Sequence, residues 1–290
     1  MLGHAPNGDN APTRSLTVPA PAKLNLFLHV TGRRDDGYHL LETLFVALDV
    51  CDTITLTTRS DGAIRRVGGD FGVREQDDLT VRAATALKRA AGSASGVDIT
   101  VVKRIPIGGG LGGGSSDAAS TLLALNRLWS LGGTRAELAA IGVALGADVP
   151  FFLGAEPALA HGIGELLTPV SIPSFWVAVL VPPQSVPTAE IFAAPELTRD
   201  GTRAEISVFS EGYGRNDLQL SAVRRFPDIG VALDVLSACS ATARMTGSGS
   251  SVFALFATEA QAHEAISKRP PEMRAFVART LARHPLAAFG

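Results

Sequence analysis

The chain has 290 residues and a formal net charge of −2 at pH 7, with 46% hydrophobic and 19% charged residues. That balance is too apolar for a disordered chain, and the lack of any block of clustered Lys and Arg argues against a nucleic-acid surface. The length suits two ordinary domains better than one large one.

MLGHAPNGDNAPTR opens the chain. It is polar and Pro-rich with no apolar core, so residues 1–13 read as a disordered tail and not as a signal peptide. From Leu16 to Val30 the sequence reads as strand, broken at Pro19 and Pro21. In KLNLFLHV, alternation puts Leu24, Leu26, Leu28 and Val30 on one face and Lys23, Asn25, Phe27 and His29 on the other. The polar-headed face meets either solvent or the wall of a site. GRRDDGYH (32–39) is a turn-rich loop, LLETLFVALDV fits helix or strand, and DTITLTTR is a strand by its β-branched alternation. Residues 79–91 form an amphipathic helix, and VDITVVKRIP is a strand leading into a glycine run.

That run, IPIGGGLGGGSSDAAS (105–120), leads into DAASTLLALNRLW, whose Leu122, Leu125 and Trp129 share a helical face. Glycine in such numbers is costly unless the backbone takes positive φ or lies against something. Ser115, Ser116 and Asp117 are capping residue types, so a bare backbone entering a helix N-terminus is expected here, an anion nest suited to a nucleotide's phosphates. Gly108, Gly110 and Gly113 also satisfy G-x-G-x-x-G, a weak signal shared by unrelated phosphate sites. No Lys-Ser or Lys-Thr follows for a Walker A loop, and the loop lies too far along the chain for a dinucleotide fold. No His-Arg-Asp or Asp-Phe-Gly follows for a protein kinase.

A helix over 134–146 ended by a glycine comes next, then GADVPFFL, then strands near 158–160 and 175–181. PPQSVPTAEIFAAPELTRDG reads as a loop. Helices are expected near 216–225 and 228–239, then the loop MTGSGSS, the strand VFALF, the helix EAQAHEAISK and a strand near 274–281. The order suggests an α+β protein of two layers, divided near residue 165 into 14–165 and 166–290. Cys51 and Cys239 lie far apart in apolar company, which points to a reducing compartment without a disulfide. Apolar stretches such as FWVAVLV are strand-length, so a soluble cytoplasmic protein without membrane or nucleic-acid partners is expected.

PAKLNLFLHVTGRRDDGYH, PIGGGLGGGSSDAA and MTGSGSSVF, in that order, resemble the three signature motifs of the GHMP kinase superfamily of small-molecule kinases. PAKLNLFLHV, DGYH, GADVPFF and HGIGE resemble most the branch that acts on a cytidine diphosphate-linked methylerythritol in non-mevalonate isoprenoid synthesis. The resemblance implies a two-domain α+β fold with the site in the cleft, and transfer of the γ-phosphoryl of ATP, with Mg²⁺, to the acceptor's 2-hydroxyl. It implies Lys23 and Asp148 as catalytic residues and Pro106, Ile107, Gly108, Gly109, Gly110, Leu111, Gly112, Gly113, Gly114, Ser115 and Ser116 as the ATP cradle. It also implies Asn25, Tyr38, His39, Thr188 and Phe192 on the acceptor side, with Tyr38 and Phe192 sandwiching the cytosine and His39 hydrogen-bonding it. No residue is assigned as a direct metal ligand.

Without the resemblance, Asp148 reads as a turn or cap aspartate, Lys23 as an exposed lysine and Tyr38 as a surface tyrosine. Gly247-Ser248-Gly249 is either a tight turn or a loop packed on the phosphate loop or the acceptor. Where many relatives carry Asn-Leu near the adenine, this chain has Asp78-Leu79, which offers no side-chain amide. Another GHMP kinase, for homoserine or mevalonate, and a non-catalytic ligand sensor are the competing readings.

Overall fold

The two runs of leucine and β-branched residues near the start of the chain form strands long enough to serve both halves of the molecule. In the computed structural model, which describes residues 13–69, 71–199 and 213–289, β1 (Ser15–Arg33) and β2 (His39–Arg59) pair antiparallel from end to end. The tail expected over 1–13 lies, but for its last residue, outside the described residues. There follow β3 (Ile64–Gly68), α1 (Leu79–Ala91), β4 (Gly96–Val102), α2 (Gly113–Leu128), α3 (Arg135–Val143), α4 (Val149–Leu153), β5 (Ala158–His161) and β6 (Leu166–Pro169). The remainder is β7 (Trp176–Val181), α5 (Thr188–Phe192), α6 (Gln219–Arg225), α7 (Pro227–Ser237), β8 (Arg244–Met245), β9 (Val252–Phe256), α8 (Glu259–Ser267) and β10 (Arg274–Leu281). The sheet order is β3-β4-β2-β10-β7-β9-β8, with β1 and β5 also on β2, and β6 on β5. The β3–β4 ladder is parallel and the other ladders are antiparallel, an α+β arrangement as expected.

β1 is not broken at its prolines. Pro19 and Pro21 sit opposite Thr53 and Cys51, on a strand whose ladder is with β2 alone, so their missing N–H groups deprive no second neighbour. The alternation in KLNLFLHV is also interrupted. Between Asn25, opposite Phe45, and Leu28, opposite Thr43, β1 carries one residue more than β2. This bulge turns Phe27 into the same cluster as Leu24 and Leu26, while Leu28 joins Val30 in the C-terminal cluster. The ambiguous LLETLFVALDV is strand, because residues 42–48 are buried and β1, β5 and β10 all need an edge to pair with.

α1 follows the sequence closely. Thr80, Ala83, Ala84 and Leu87 form its buried stripe, Asp78 caps it through Thr80 N, and Gly92 ends it in the left-handed conformation. α2 begins earlier than its capping residues suggested. Gly112, at φ 71°, is the N-cap without a side-chain hydrogen bond, so Ser115, Ser116 and Asp117 lie within the first turns. α3 ends at Val143, short of Gly146, and the expected loop after β7 contains α5. β3, α4 and β6 are short elements that the sequence pattern did not reveal.

Three apolar clusters build the core: α1, α2 and α4 against β2 and β4; α5 to α8 against β7 and β9; and a third linking them through β1, β2, β7 and β9. The chain end then returns to the first cluster through Leu286. Arg135 on α3 holds this return by donating to the carbonyls of Leu153 and Leu286. His284 is buried there, its backbone N–H on Ala155 O at 2.7 Å and its Nδ1 accepting from Leu286 N at 3.1 Å.

Burial, followed by the charge of Arg135, pushes the His284 imidazole down from 6.5 to about 4. Its folded value is depressed, so the unfolded chain takes the proton first as pH falls. Stability is therefore intact above about 6.5 and drains between about 6.5 and about 4, by up to about 3 kcal/mol at about 1.4 kcal/mol per unit. His284→Asn keeps an acceptor for Leu286 N–H and removes the titration. Its unfolding midpoint is expected to fall less steeply than wild type across that window, as measured by thermal denaturation against pH; parallel slopes contradict the assignment.

Candidate active site

The glycine run forms one wall of a pocket of about 370 Å³ lined from Pro106 to Ser115, with Phe71, Val73, Asp77, Asp78 and Leu79 at its far end. Gly108, Gly110 and Gly112 all have positive φ, so successive backbone N–H groups turn toward one concavity ahead of α2. No side chain caps that helix, which leaves its N-terminal N–H groups and dipole facing the pocket. Glycine is needed there for space as well as conformation. A Cβ on Gly110 would stand 2.5 Å from Thr246 O, and one on Gly112 would stand 2.9 Å from Lys23 Cγ and 3.0 Å from Phe152 Cζ. The second glycine loop is thus packed on the first, and Ser251 N donates to Gly109 O at 3.1 Å. Ser116 differs from its neighbours: its hydroxyl is buried, away from the pocket lining, with no hydrogen-bond partner among the described residues.

Sequence reading did not find a buried charge cluster beside the loop, two of whose members, Lys103 and Asp117, also line the pocket. Lys103 Nζ contacts Asp52 Oδ2 at 2.5 Å and Asp117 Oδ2 at 2.6 Å, and Asp52 Oδ1 accepts from the backbone of Arg104 and Ile105 at 2.5 and 2.8 Å. Burial works against the Lys103 ammonium, yet the Asp117 and Asp52 carboxylates hold it above its usual range. Burial raises Asp117, against the pull of Lys103. With its ammonium matched by two carboxylates, the cluster anchors the strand-to-loop junction.

Lys23 is buried on β1 at 3% exposure, at the floor of the cleft. Its Nζ donates to Asn25 Oδ1 at 2.6 Å, lies 3.3 Å from Asp148 Oδ2 and stands 5.2 Å from the Phe45 ring centre. Its backbone N–H bonds Leu111 O at 2.9 Å, tying β1 to the glycine run. Asp148 immediately precedes α4, but its carboxylate makes no cap bond and is turned to Lys23. Asn25 is fixed by Thr43, which accepts from its Nδ2 at 2.8 Å, and by Thr246, which accepts from its backbone at 2.9 Å. Thr246 belongs to the MTGSGSSVF motif, whereas Thr43 carries no sequence signal and is known only from these contacts.

Tyr38, His39, Thr188 and Phe192 border a second pocket of about 660 Å³, with Arg33, Asp36 and Arg199. The ring pair in it is His39 on Phe192, at 5.0 Å and 29°, whereas Tyr38 is 60% exposed at the rim. Burial, then the charges of Arg199 and Arg33, lower the His39 pKa. Thr188 Oγ1 hydrogen-bonds Ser248 Oγ at 2.8 Å, joining α5 to the second glycine loop. A smaller space of about 250 Å³ lies between the two pockets; it shares Gly110 and Gly112 with the first and Leu41, Ala147, Ile163, Thr188 and Phe192 with the second. Lys23 and Asp148 line that connecting space.

At the other end, Asp78 caps α1 and pairs with Arg66 at 3.0 Å, and Arg66 covers the Phe71 ring at 4.8 Å. Among the described residues no group of His, Cys, Asp and Glu could by itself hold a metal ion, and no helix is long and apolar enough to cross a membrane. Both cysteines are free.

Residues 78–155 match the family described as GHMP kinases N terminal domain, and 194–273 match GHMP kinases C terminal. The chain is 54% identical over 275 residues to the 4-diphosphocytidyl-2-C-methyl-D-erythritol kinase of Thiobacillus denitrificans, covering 95% of this chain and 99% of that one. It is also 54% identical over 275 residues to the kinase of that name from Cupriavidus necator, covering 93% and 94%. A crystal structure of 4-(cytidine 5'-diphospho)-2C-methyl-D-erythritol kinase is similar at TM-score 0.80 and 35% identity, covering 91% and 99%. A mevalonate kinase at TM-score 0.65 and 16% identity shares the fold.

Gly112→Val tests the loop. The new side chain meets Lys23 and Phe152 and strains a φ of 71°, so both ATP binding and the lysine's position suffer. Steady-state kinetics should show a raised ATP KM together with a collapse of kcat, in a protein whose circular dichroism is native. Unchanged ATP affinity removes the phosphate-nest assignment.

Proposed function

The chain belongs to the 4-diphosphocytidyl-2-C-methyl-D-erythritol kinase family within the GHMP kinases, and on that premise we propose that it transfers the γ-phosphoryl group of ATP to the 2-hydroxyl of that cytidylyl compound, with Lys23 and Asp148 at the reacting atoms. The activity is a step of non-mevalonate isoprenoid precursor synthesis. The observation that carries this reading is the row of three spaces: a phosphate nest, a connecting space holding a lysine–aspartate pair, and an aromatic pocket. ATP lies with its phosphates on the run Pro106–Ser115 and its base toward Phe71, Val73 and Leu79. The cytosine lies among Tyr38, His39 and Phe192, and the methylerythritol reaches back to Asn25 and Asp148. The division into 14–165 and 166–290, with the site between, and a cytoplasmic location complete the reading; the two outer apolar clusters support two units, with Leu28 and Val30 joining the second and Leu286 the first.

Phosphoryl transfer asks chiefly for positioning and charge neutralisation. The acceptor oxygen forms its bond to the γ-phosphorus as the bond from that phosphorus to the β,γ-bridging oxygen breaks, and Asp148 takes the hydroxyl proton. Lys23, 3.3 Å from Asp148 Oδ2, orients that carboxylate and presents its ammonium to the transferring group. Mg²⁺ fits the same place by the chemistry of its donors: Ser115 at the pocket wall and the Asp148 carboxylate are hard oxygen groups beside the phosphates, the sparse protein set that magnesium accepts. It would supply neutralisation of the phosphate charge.

Asp148→Asn is nearly isosteric and keeps its hydrogen bonding, so both substrates should still bind. Turnover should fall by about 10² to 10⁴-fold, the range of general-base contributions, with KM little changed. Lys23→Met should fall in the same direction and combine less than additively. A variant with wild-type kcat ends the assignment of Asp148.

For the base pocket, stacking contributes on the order of 1 to 3 kcal/mol per base in single-strand binders. Tyr38→Ala and Phe192→Ala should each weaken the cytidylyl substrate roughly ten- to hundredfold while leaving the ATP KM in place. Equal losses for the two ligands contradict the acceptor-side assignment.

A further inference from the structure

In the aromatic pocket, the ring of His39 is held by Arg199 of the segment following α5, which also lines the pocket. Arg199 Nε donates to His39 Nε2 at 3.1 Å. The rest of the guanidinium is anchored on backbone carbonyls: Nη1 to Leu197 O at 3.1 Å, and Nη2 to Ala194 O at 2.9 Å and Phe192 O at 3.3 Å. His39 itself is stacked on Phe192. One short segment therefore fixes both the plane of the imidazole and the nature of the partner at its Nε2.

We infer that Arg199 is a positioning residue that sets which nitrogen of His39 carries the proton, and that this setting makes the pocket prefer cytosine to uracil. The inference rests on the reading of His39 as the group that reads the base edge. A guanidinium stays protonated and has donors only, so the nitrogen it faces must present its lone pair. A neutral imidazole whose Nε2 accepts has its proton on Nδ1. Burial and the two flanking arginines, Arg199 and Arg33, lower the imidazole pKa from 6.5, which keeps the ring neutral at pH 7. Asp36 is the carboxylate in the same pocket lining, and no hydrogen bond or ion pair between it and His39 is among the described contacts. The ring nitrogen left for a ligand is then a donor.

That donor distinguishes the pyrimidines. N3 of cytosine has a lone pair and accepts, whereas N3 of uracil carries a hydrogen and donates. An Nδ1–H facing N3 pairs with the first and opposes the second, and a buried donor set against a donor leaves both without a partner. The opposite tautomer would reverse the preference at N3.

The full-length enzyme tests this with two variants and two readouts. Arg199→Met keeps the side-chain length without a donor, and Arg199→Lys returns one. Initial rates at saturating ATP are compared for the cytidine- and uridine-linked methylerythritol diphosphates, and ¹⁵N NMR of the histidine ring reports the tautomer in the free protein. The expected wild-type signature is Nδ1-protonated His39 with a clear cytidine preference. In Arg199→Met the tautomers mix, the KM for the cytidine compound rises about tenfold or more, and the preference shrinks by a similar factor with kcat little altered. Arg199→Lys recovers part of it. If the arginine only braces the α5 carbonyls, both substrates weaken equally and the preference survives, which overturns the inference; so does a wild-type ring protonated on Nε2. Failure of the underlying reading looks different: wild type then shows no preference for the cytidine compound even with Nδ1 protonated, and the inference falls with it.

Discussion

A buried ammonium is the constraint on which the rest of this site depends. Lys23, at 3% exposure, has given up most of its hydration, and an unpaired charge in that position would be destabilising by several kcal/mol. Its partners come from separate parts of the chain: Asn25 two residues along the strand, Asp148 ahead of α4, and the face of Phe45 on β2. Each partner is itself committed. Asn25 draws in Thr43 and, through Thr246, the C-terminal glycine loop, and the Lys23 backbone holds the phosphate loop by Leu111. The charge that chemistry requires is thus also the point at which four segments are brought into register.

The second organising contact is between the two glycine loops. Thr246 O and Gly249 lie so close to Gly110 that a methyl group would not fit between them, and Ser251 hydrogen-bonds Gly109. Backbone meets backbone, which gives a short connection between the N-terminal and C-terminal halves beside the glycine run. The Asp52–Lys103–Asp117 cluster serves the same end from below. Asp52 fixes the two N–H groups at the strand exit, and Lys103 links that strand to the first turn of α2 through Asp117, so the nest is held from the sheet and from the helix at once.

The acceptor pocket is built differently. Its walls are the β1–β2 turn, α5 and the residues beside Asp148, held by side-chain hydrogen bonds such as Thr188 to Ser248 and Arg199 to His39. Tyr38 is exposed at its rim, and His39 rests on Phe192 inside it. The two pockets meet at the space lined by Lys23 and Asp148.

Local pattern settled a good deal by itself. The stripe of α1 with Asp78 and Gly92 at its ends, the strand VFALF, the helix EAQAHEAISK and the glycine run entering a helix are all short-range features whose physics is complete within a few residues. Lys23, Asp148, Tyr38, His39 and Phe192 stood out as candidates only through the family motifs. Tertiary structure decided what depends on partners distant in sequence. LLETLFVALDV is strand because three other strands pair with it, Pro19 and Pro21 sit within β1 because that strand has a single ladder neighbour, and the bulge after Asn25 sends Phe27 to the core against the simple alternation. Lys103, Thr43 and Arg199 were invisible for the same reason, and so was the role of Thr246 within its motif. A threonine in a strand or a lysine before a loop has no distinctive local signature, and its role exists only once folding brings Asp52, Asn25 or His39 within hydrogen-bonding distance.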